Sequence, residues 1–180
     1  GDLCAFRFYD PNNRLWDPVT GGGAVLDLGV YVISMAQDFL GNARDVHCVG
    51  RYAPNGVESA ATINVAYVGG GAAALTCGFD VHGPGRMVIL GTKGWVEVQP
   101  RFHHPTTISV HRSGVLPRII EAKQIGRGYA HELMEVSDCL LAGQTQSATM
   151  PLSDTVEVMR VLESCLTQLG RPQEEARVEI

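Results

Sequence analysis

Two side chains able to hold or move a proton, Asp27 and Tyr31, stand four residues apart in an otherwise apolar run that opens on Gly21-Gly22-Gly23. At 3.6 residues per turn the spacing places both on one face of a helix predicted over about 22–40, and Ser34 and Asp38 continue that stripe. Val25, Leu28, Val32, Met35 and Phe39 form one flank and Leu26, Val30, Ile33 and Leu40 another. A helix apolar nearly all round is a buried one, so its single polar stripe needs a reason. Two readings stand side by side. Either the stripe faces solvent and the positive end of the helix dipole favours Asp27 there, or it lines a cavity. In the second reading Tyr31 leans toward the N-terminus, toward Asp27 and the glycines. There Gly22 and Gly23 would let a ligand approach the backbone and leave N–H donors free to bind substrate. A phenol titrates at about 10, so proton transfer by Tyr31 at neutral pH calls for a cation or a helix N-terminus beside it.

Other residues carry a functional and a plain reading together. Arg14 and Trp16 precede the glycines and can line a substrate mouth, or be a solvated charge and a packing ring. Arg51 ends a strand, where a surface ion pair is the default. His131 and Glu132 open a helix as neighbours about 100° apart, which suits His131 as a site-lining residue and not as a zinc ligand. His103-His104 precede Pro105 in a loop and read as exposed; Lys93 sits in a turn and reads as solvated.

The elements that would position these groups follow from periodicity. Leu3–Tyr9 alternates like a strand and Asp10-Pro11-Asn12-Asn13 turns the chain into an irregular lead-in. After the helix, stopped by Gly41-Asn42, strand patterns cover Asp45–Tyr52, Ala60–Tyr67, Ala72–Phe79, Arg86–Leu90, Trp95–Gln99 and Thr107–His111. Hairpin turns fall at Gly69-Gly70-Gly71 and Gly91-Thr92-Lys93-Gly94. Two helices close the chain. One carries Tyr129, Leu133, Val136 and Leu140 on a face. The other carries Val158, Leu162, Cys165 and Leu169 and ends at Gly170-Arg171-Pro172. Hairpins imply antiparallel pairing. The expected fold is α+β: a largely antiparallel, open-faced sheet with helices packed on one face. Ile63, Val65, Tyr67, Leu75 and Phe79 would lie under the helices, and Thr62, Asn64, Ala66, Ala72, Ala74 and Thr76 on the bare side, a hint of dimerisation.

Composition narrows the function. A length of 180 residues suits one domain, and 45% hydrophobic with 18% charged residues is that of a globular protein. A net charge of −5 without a basic cluster argues against a nucleic-acid partner. Five scattered cysteines without a C-x-x-C pair point to buried thiols in a reducing, cytoplasmic setting, not to zinc or disulfides. No stretch reads as a signal peptide or reaches membrane-spanning length.

Gly1-Asp2-Leu3, the glycine run with Leu26-Asp27-Leu28-Gly29-Val30-Tyr31, Val49-Gly50-Arg51, Gly91-Thr92-Lys93-Gly94 with Val96, Tyr129 to Glu132, Cys139-Leu140 with Gly143, and Met150-Pro151-Leu152 occur in this order. In these the chain resembles, nearly end to end, the C-terminal domain of the Gfo/Idh/MocA family of NAD(P)-dependent oxidoreductases, in its dihydrodiol dehydrogenase and glucose–fructose oxidoreductase branch. The resemblance implies a domain that shapes the substrate site beside an N-terminal Rossmann domain, which binds the dinucleotide and brings a lysine from a Glu-Lys-Pro motif. It implies Tyr31, where many members have His, as the group exchanging a proton with the substrate oxygen while hydride moves to or from the nicotinamide. Asp27 would orient Tyr31 or hold a substrate hydroxyl.

No dinucleotide fingerprint accompanies it. Gly69-Gly70-Gly71-Ala72-Ala73-Ala74 fits G-x-G-x-x-A after a strand, yet Leu75–Phe79 is strand-like where a helix is required; before Gly21, Trp16-Asp17-Pro18 is no strand; and Glu-Lys-Pro does not occur. With a start at Gly1 and no methionine, we expect residues 1–180 to be the single substrate and dimerisation domain of an oxidoreductase whose Rossmann domain lies outside this chain. The expected parent uses NAD or NADP on a sugar, polyol or dihydrodiol and pairs as a homodimer through the bare sheet face, while this chain alone is inactive and binds no cofactor. The alternative is a non-catalytic dimerisation or small-molecule-binding module of the same fold.

Overall fold

The computed structural model describes residues 1–126 and 128–170. Eight strands form two four-stranded sheets. The first has the order β1 (Asp2–Cys4), β4 (Ala72–Gly78), β3 (Glu58–Tyr67), β2 (Ala43–Tyr52); the second runs β5 (Met87–Gly91), β6 (Gly94–Val98), β7 (Thr107–His111), β8 (Arg118–Glu121). Every pairing is antiparallel except β1 with β4. The α+β architecture is as expected, but the strands divide into two sheets where one was expected, and two strands differ from the pattern. The strand pattern of Leu3–Tyr9 yields only β1, because its partner β4 ends at Gly78; the Ala5 and Arg7 amides still donate to Gly78 and Phe79, so the chain stays alongside without forming a ladder. Strand β8 was not anticipated: Arg118-Ile119-Ile120-Glu121 is too short to show alternation.

The core lies between the first sheet and the long helices. Ile63, Val65, Tyr67, Leu75 and Phe79 are all buried, whereas Thr62, Asn64, Ala72 and Ala74 on the opposite side are exposed. The buried face meets the apolar flanks of α1 (Val30–Leu40), through Val32, Ile33 and Ala36, and of α3 (Leu152–Gln168), through Val158, Val161, Leu162 and Cys165. Full burial of one such side chain contributes about 1.5–3 kcal/mol, so this layer supplies most of the fold's driving force. Gln168 holds α3 on β2: its Oε1 accepts from the Cys48 amide at 3.0 Å and its Nε2 donates to the Val46 carbonyl at 2.9 Å. α3 ends at Gln168, and of the predicted stop Gly170 has φ +70° while Arg171 and Pro172 lie outside the described residues. Helix α2 (Tyr129–Leu141) differs from α1 and α3: Tyr129, Leu133, Val136 and Leu140 are exposed and the helix buries none of its residues.

The approach to α1 is tightly built. Asn13 caps a 3-10 turn over Arg14–Trp16, its side chain accepting from the Leu15 amide. The chain then doubles back so that the Gly22 and Gly23 amides donate to Asp17 and Leu15 carbonyls, each at 2.8 Å. A Cβ on Gly22 would stand 2.7 Å from the carbonyl oxygens of Arg14 and Asp17; one on Gly23, whose φ is +120°, would overlap the buried carboxylate of Glu58. Both positions therefore require glycine for close packing, and their N–H groups are already committed.

At the far end of the sheet, Arg51 grips Asp80 through two hydrogen bonds of 3.0 and 2.8 Å, and Ser59 Oγ donates to the same carboxylate at 3.0 Å. The guanidinium lowers the Asp80 pKa from its ordinary 3.8, helped by Ser59 against the effect of burial. Because the folded state holds this carboxyl below its unfolded value, the pair stabilises the fold above that value and ceases to do so as pH falls through the folded one.

Two outcomes are expected. Gly23→Ala should lower unfolding free energy by about 1–3 kcal/mol in urea denaturation, since the left-handed backbone and the Glu58 carboxylate both resist a methyl. Asp80→Asn should lower stability at neutral pH, where the charged pair contributes, and change it little well below pH about 4, so that the acid limb flattens; thermal melts across that range check it.

Candidate active site

Between the glycine turn and α1 the backbone takes one π-helical stretch, Val25–Gly29. A wide turn of this type displaces side chains from the register of a regular helix and recurs at functional sites. Its effect is visible in Asp27 and Tyr31. Asp27 is half-buried on the π stretch, and Tyr31, the second residue of α1, is 45% exposed. The hydroxyl-to-carboxylate approach expected from an ideal helix is absent from the described hydrogen bonds. The Asp27 carboxylate faces Arg14 instead, with Nη1 and Nη2 both 3.4 Å from Oδ1. Arg14, mostly exposed, is thus brought to the Asp27 face of the helix by the doubled-back turn.

Trp16 goes the other way. It is 2% exposed, its Nε1–H donates to the Phe8 carbonyl at 3.0 Å, and its ring meets Phe79 edge-on at 5.2 Å. It packs the wall behind the site and presents no ring surface to a ligand. Gly22 and Gly23 are buried with both N–H groups bonded within the turn, so they shape the site without offering it free donors. Trp16 thus takes its packing reading, and tertiary packing takes up the Gly22 and Gly23 polar groups that the local pattern left open.

On the far side of Tyr31 lies a residue that sequence reasoning set aside. The His103 ring centroid is 5.4 Å from that of Tyr31, with 50° between the ring planes. It is carried on the loop between β6 and β7 by Phe102, which is buried and whose amide donates to the Gly85 carbonyl at 2.9 Å. Arg101, with φ +29°, makes the sharp turn before it. Partial desolvation first, then the neighbouring His104 and Arg101, lower the His103 pKa from its ordinary 6.5, favouring the neutral ring. His104 is edge-on to His103 at 4.6 Å, and its carbonyl accepts from Gln124 Nε2 at 2.7 Å. His131 is exposed on the first turn of α2; the residue capping that helix, Gly128, would place a Cβ 3.7 Å from the Cβ of His104. Arg14 and Asp27 thus form one contact and Tyr31 and His103 another, four residues apart along the chain through Asp27 and Tyr31, with the α2 start near His104. In the sequence His103 gave no signal beyond a doublet of histidines, because its partner lies 72 residues earlier (103 − 31).

The one glycine run that fits a dinucleotide fingerprint after a strand does not fold as one. Gly69-Gly70-Gly71 is the turn of the antiparallel β3–β4 hairpin, closed by the Tyr67 amide on the Gly71 carbonyl at 2.9 Å, and no helix follows it. Among the described residues no group of three His, Cys, Asp or Glu side chains is placed to hold a metal ion, and no helix is long and apolar enough to cross a membrane. A groove of about 600 Å³ between the end of α1, β4 and β5 is lined by Met35, Phe39, Leu40, Ala73 and Met87 among others; it excludes Tyr31 and Asp27, so the polar strip is an open surface apart from it.

Comparison with known proteins agrees with this architecture. The family model described as GFO/IDH/MocA C-terminal domain matches residues 3–97. The human trans-1,2-dihydrobenzene-1,2-diol dehydrogenase is 28% identical over 164 residues, covering 87% of this chain and 49% of that protein; the Bos taurus enzyme of that name is 27% identical over 184 residues, covering 94% and 55%. The chain therefore spans about half the length of the curated relatives it matches. Among solved structures, aldose-aldose oxidoreductase from Caulobacter crescentus, complexed with glycerol, superposes with a TM-score of 0.78 at 24% identity over 94% of this chain and 52% of that one. A 3-ketoreductase from Actinomadura kijaniata, in complex with NADP and TDP-benzene, gives 0.74 at 20% identity over 93% and 52%. With more than half its length matched by the family model and the open-sheet architecture shared, this chain belongs to the GFO/IDH/MocA C-terminal domain family.

Proposed function

We propose that the chain is the substrate-binding, acid/base-supplying half of an NAD(P)-dependent oxidoreductase that acts on a sugar, polyol or dihydrodiol. The observation that carries this reading is Tyr31: a phenol left exposed on a helix whose neighbouring Val32, Ile33 and Ala36 are buried in the core, with Arg14 paired to Asp27 of the preceding π stretch. Relatives named as dihydrodiol dehydrogenases, and similarly folded oxidoreductases complexed with glycerol or NADP, support the chemical class.

A nicotinamide cofactor, held by the part of the parent that supplies a dinucleotide cradle, contributes hydride chemistry when bound. This chain's residues handle the substrate oxygen. Tyr31 Oη donates a proton to that oxygen in reduction or receives it in oxidation. Arg14 engages Asp27 through Oδ1 alone, which leaves Oδ2 to accept from a second substrate hydroxyl and fix the substrate's orientation. Arg14 is also the cation nearest Asp27, and in a closed parent it would add positive potential beside the phenol. The bare face of the first sheet, with Thr62, Asn64, Ala72 and Ala74 exposed, is the surface we propose for homodimer pairing.

In the full-length parent, Tyr31→Phe should lower kcat by about 10²–10⁴-fold while leaving cofactor affinity unchanged; steady-state kinetics with a polyol and dihydrodiol panel reads both. Turnover equal to wild type would remove Tyr31 from the chemistry and leave the domain a binding or dimerisation module. Asp27→Asn should act mainly on KM and shift unfolding free energy by less than about 1 kcal/mol, because the ion pair it breaks is partly exposed.

A further inference from the structure

Among the described residues Tyr31 has one aromatic neighbour, and it comes from a distant part of the chain. His103 lies against it at 5.4 Å between ring centroids. The loop that carries His103 is anchored at each step: Phe102 is buried, its amide donates to Gly85, the His104 amide donates to the Arg101 carbonyl at 2.9 Å, and Gln124 bonds the His104 carbonyl at 2.7 Å. Arg101 holds a backbone conformation disfavoured for a side-chain-bearing residue, which persists only where the surroundings impose it. So much anchoring beneath an exposed imidazole has a consequence for the phenol. Tyr31 stands on α1 with solvent on its open side; a flat ring fixed at one edge removes part of the rotational freedom of the phenol and narrows the positions Oη can take.

We propose that His103 is a positioning residue for Tyr31, its imidazole forming the wall that holds the phenol in the orientation from which Oη meets the substrate. The inference rests on the reading of Tyr31 as the proton-transferring group. The role is one of shape, so a flat ring at this position should suffice. The groups facing His103 are Tyr31 from α1 and Phe102 and His104 from its own loop, with Arg101 adding its charge. Gln124 reaches His104 from the segment after β8. None of them is an acid that would hold the ring protonated.

The test compares wild type, His103→Ala, His103→Phe and Tyr31→Phe in the full-length parent with its nicotinamide cofactor. His103→Ala should lower kcat about tenfold or more with KM changed less than about twofold, and His103→Phe should restore kcat to within about threefold of wild type. A silent His103→Ala, or a His103→Phe as impaired as His103→Ala, overturns the positioning role. Tyr31→Phe separates the two claims. If it abolishes turnover while His103→Ala does nothing, the positioning inference fails alone; if it leaves turnover intact, the reading of the site fails first. A readout independent of activity comes from NMR of the folded protein. The Tyr31 ring resonance, assigned by its loss in Tyr31→Phe, should move as His103 titrates, with a midpoint below 6.5, and that movement should vanish in His103→Phe. A Tyr31 resonance blind to that titration would show that the rings do not meet in solution.

Discussion

Packing of the α1 flank onto the buried face of β3 and β4 is the interaction on which the rest depends. Ile63, Val65, Leu75 and Phe79 form that face, and Val25, Leu28, Val32, Ile33 and Ala36 are pressed on the same core. With α3 closing the other side through Leu162 and Cys165, the first turns of the helix turn Tyr31 outward and Val32 and Ile33 into the core. A polar strip on such a helix is fixed in direction by the apolar energy of everything around it. That is a firmer mount for a proton-transferring side chain than a loop could offer.

The glycine turn translates this mount into a site. Its close packing, with Gly22 against Asp17 and Arg14 carbonyls and Gly23 against Glu58, brings Arg14 back over the helix start, where it meets Asp27. The π-helical stretch then offsets Asp27 from Tyr31, so that the acid takes a guanidinium as its partner and the phenol is left open. The acid thus meets a cation, and the phenol meets the His103 ring.

Against this rigid side, the second sheet and α2 are less embedded. Leu133, Val136 and Leu140 on α2 are exposed, and Trp95 of β6 stacks on His111 at 4.5 Å with much of its surface open. Met87 of β5 and Val98 of β6 reach the shared core, and the loop between β6 and β7 is tied to it by Phe102, whose amide donates to Gly85. It delivers His103 to Tyr31, and so joins the two sheets at the candidate site.

Periodicity and turn chemistry were enough to read the fold class, the hairpins at Gly69-Gly70-Gly71 and at residues 91–94, the inward and outward faces of β3 and β4, and the helix bearing Asp27 and Tyr31. These are legible because each depends on residues within a few positions of one another, where alternation and 3.6-residue spacing leave a mark. Tertiary structure decided what a local pattern cannot carry. It ended β1 where its partner ran out, buried Trp16, used up the Gly22 and Gly23 amides, inserted a π turn between acid and phenol, and set His103 beside Tyr31. Each of these depends on groups far apart in sequence competing for the same space and the same hydrogen bonds. That competition is settled only when the layers pack.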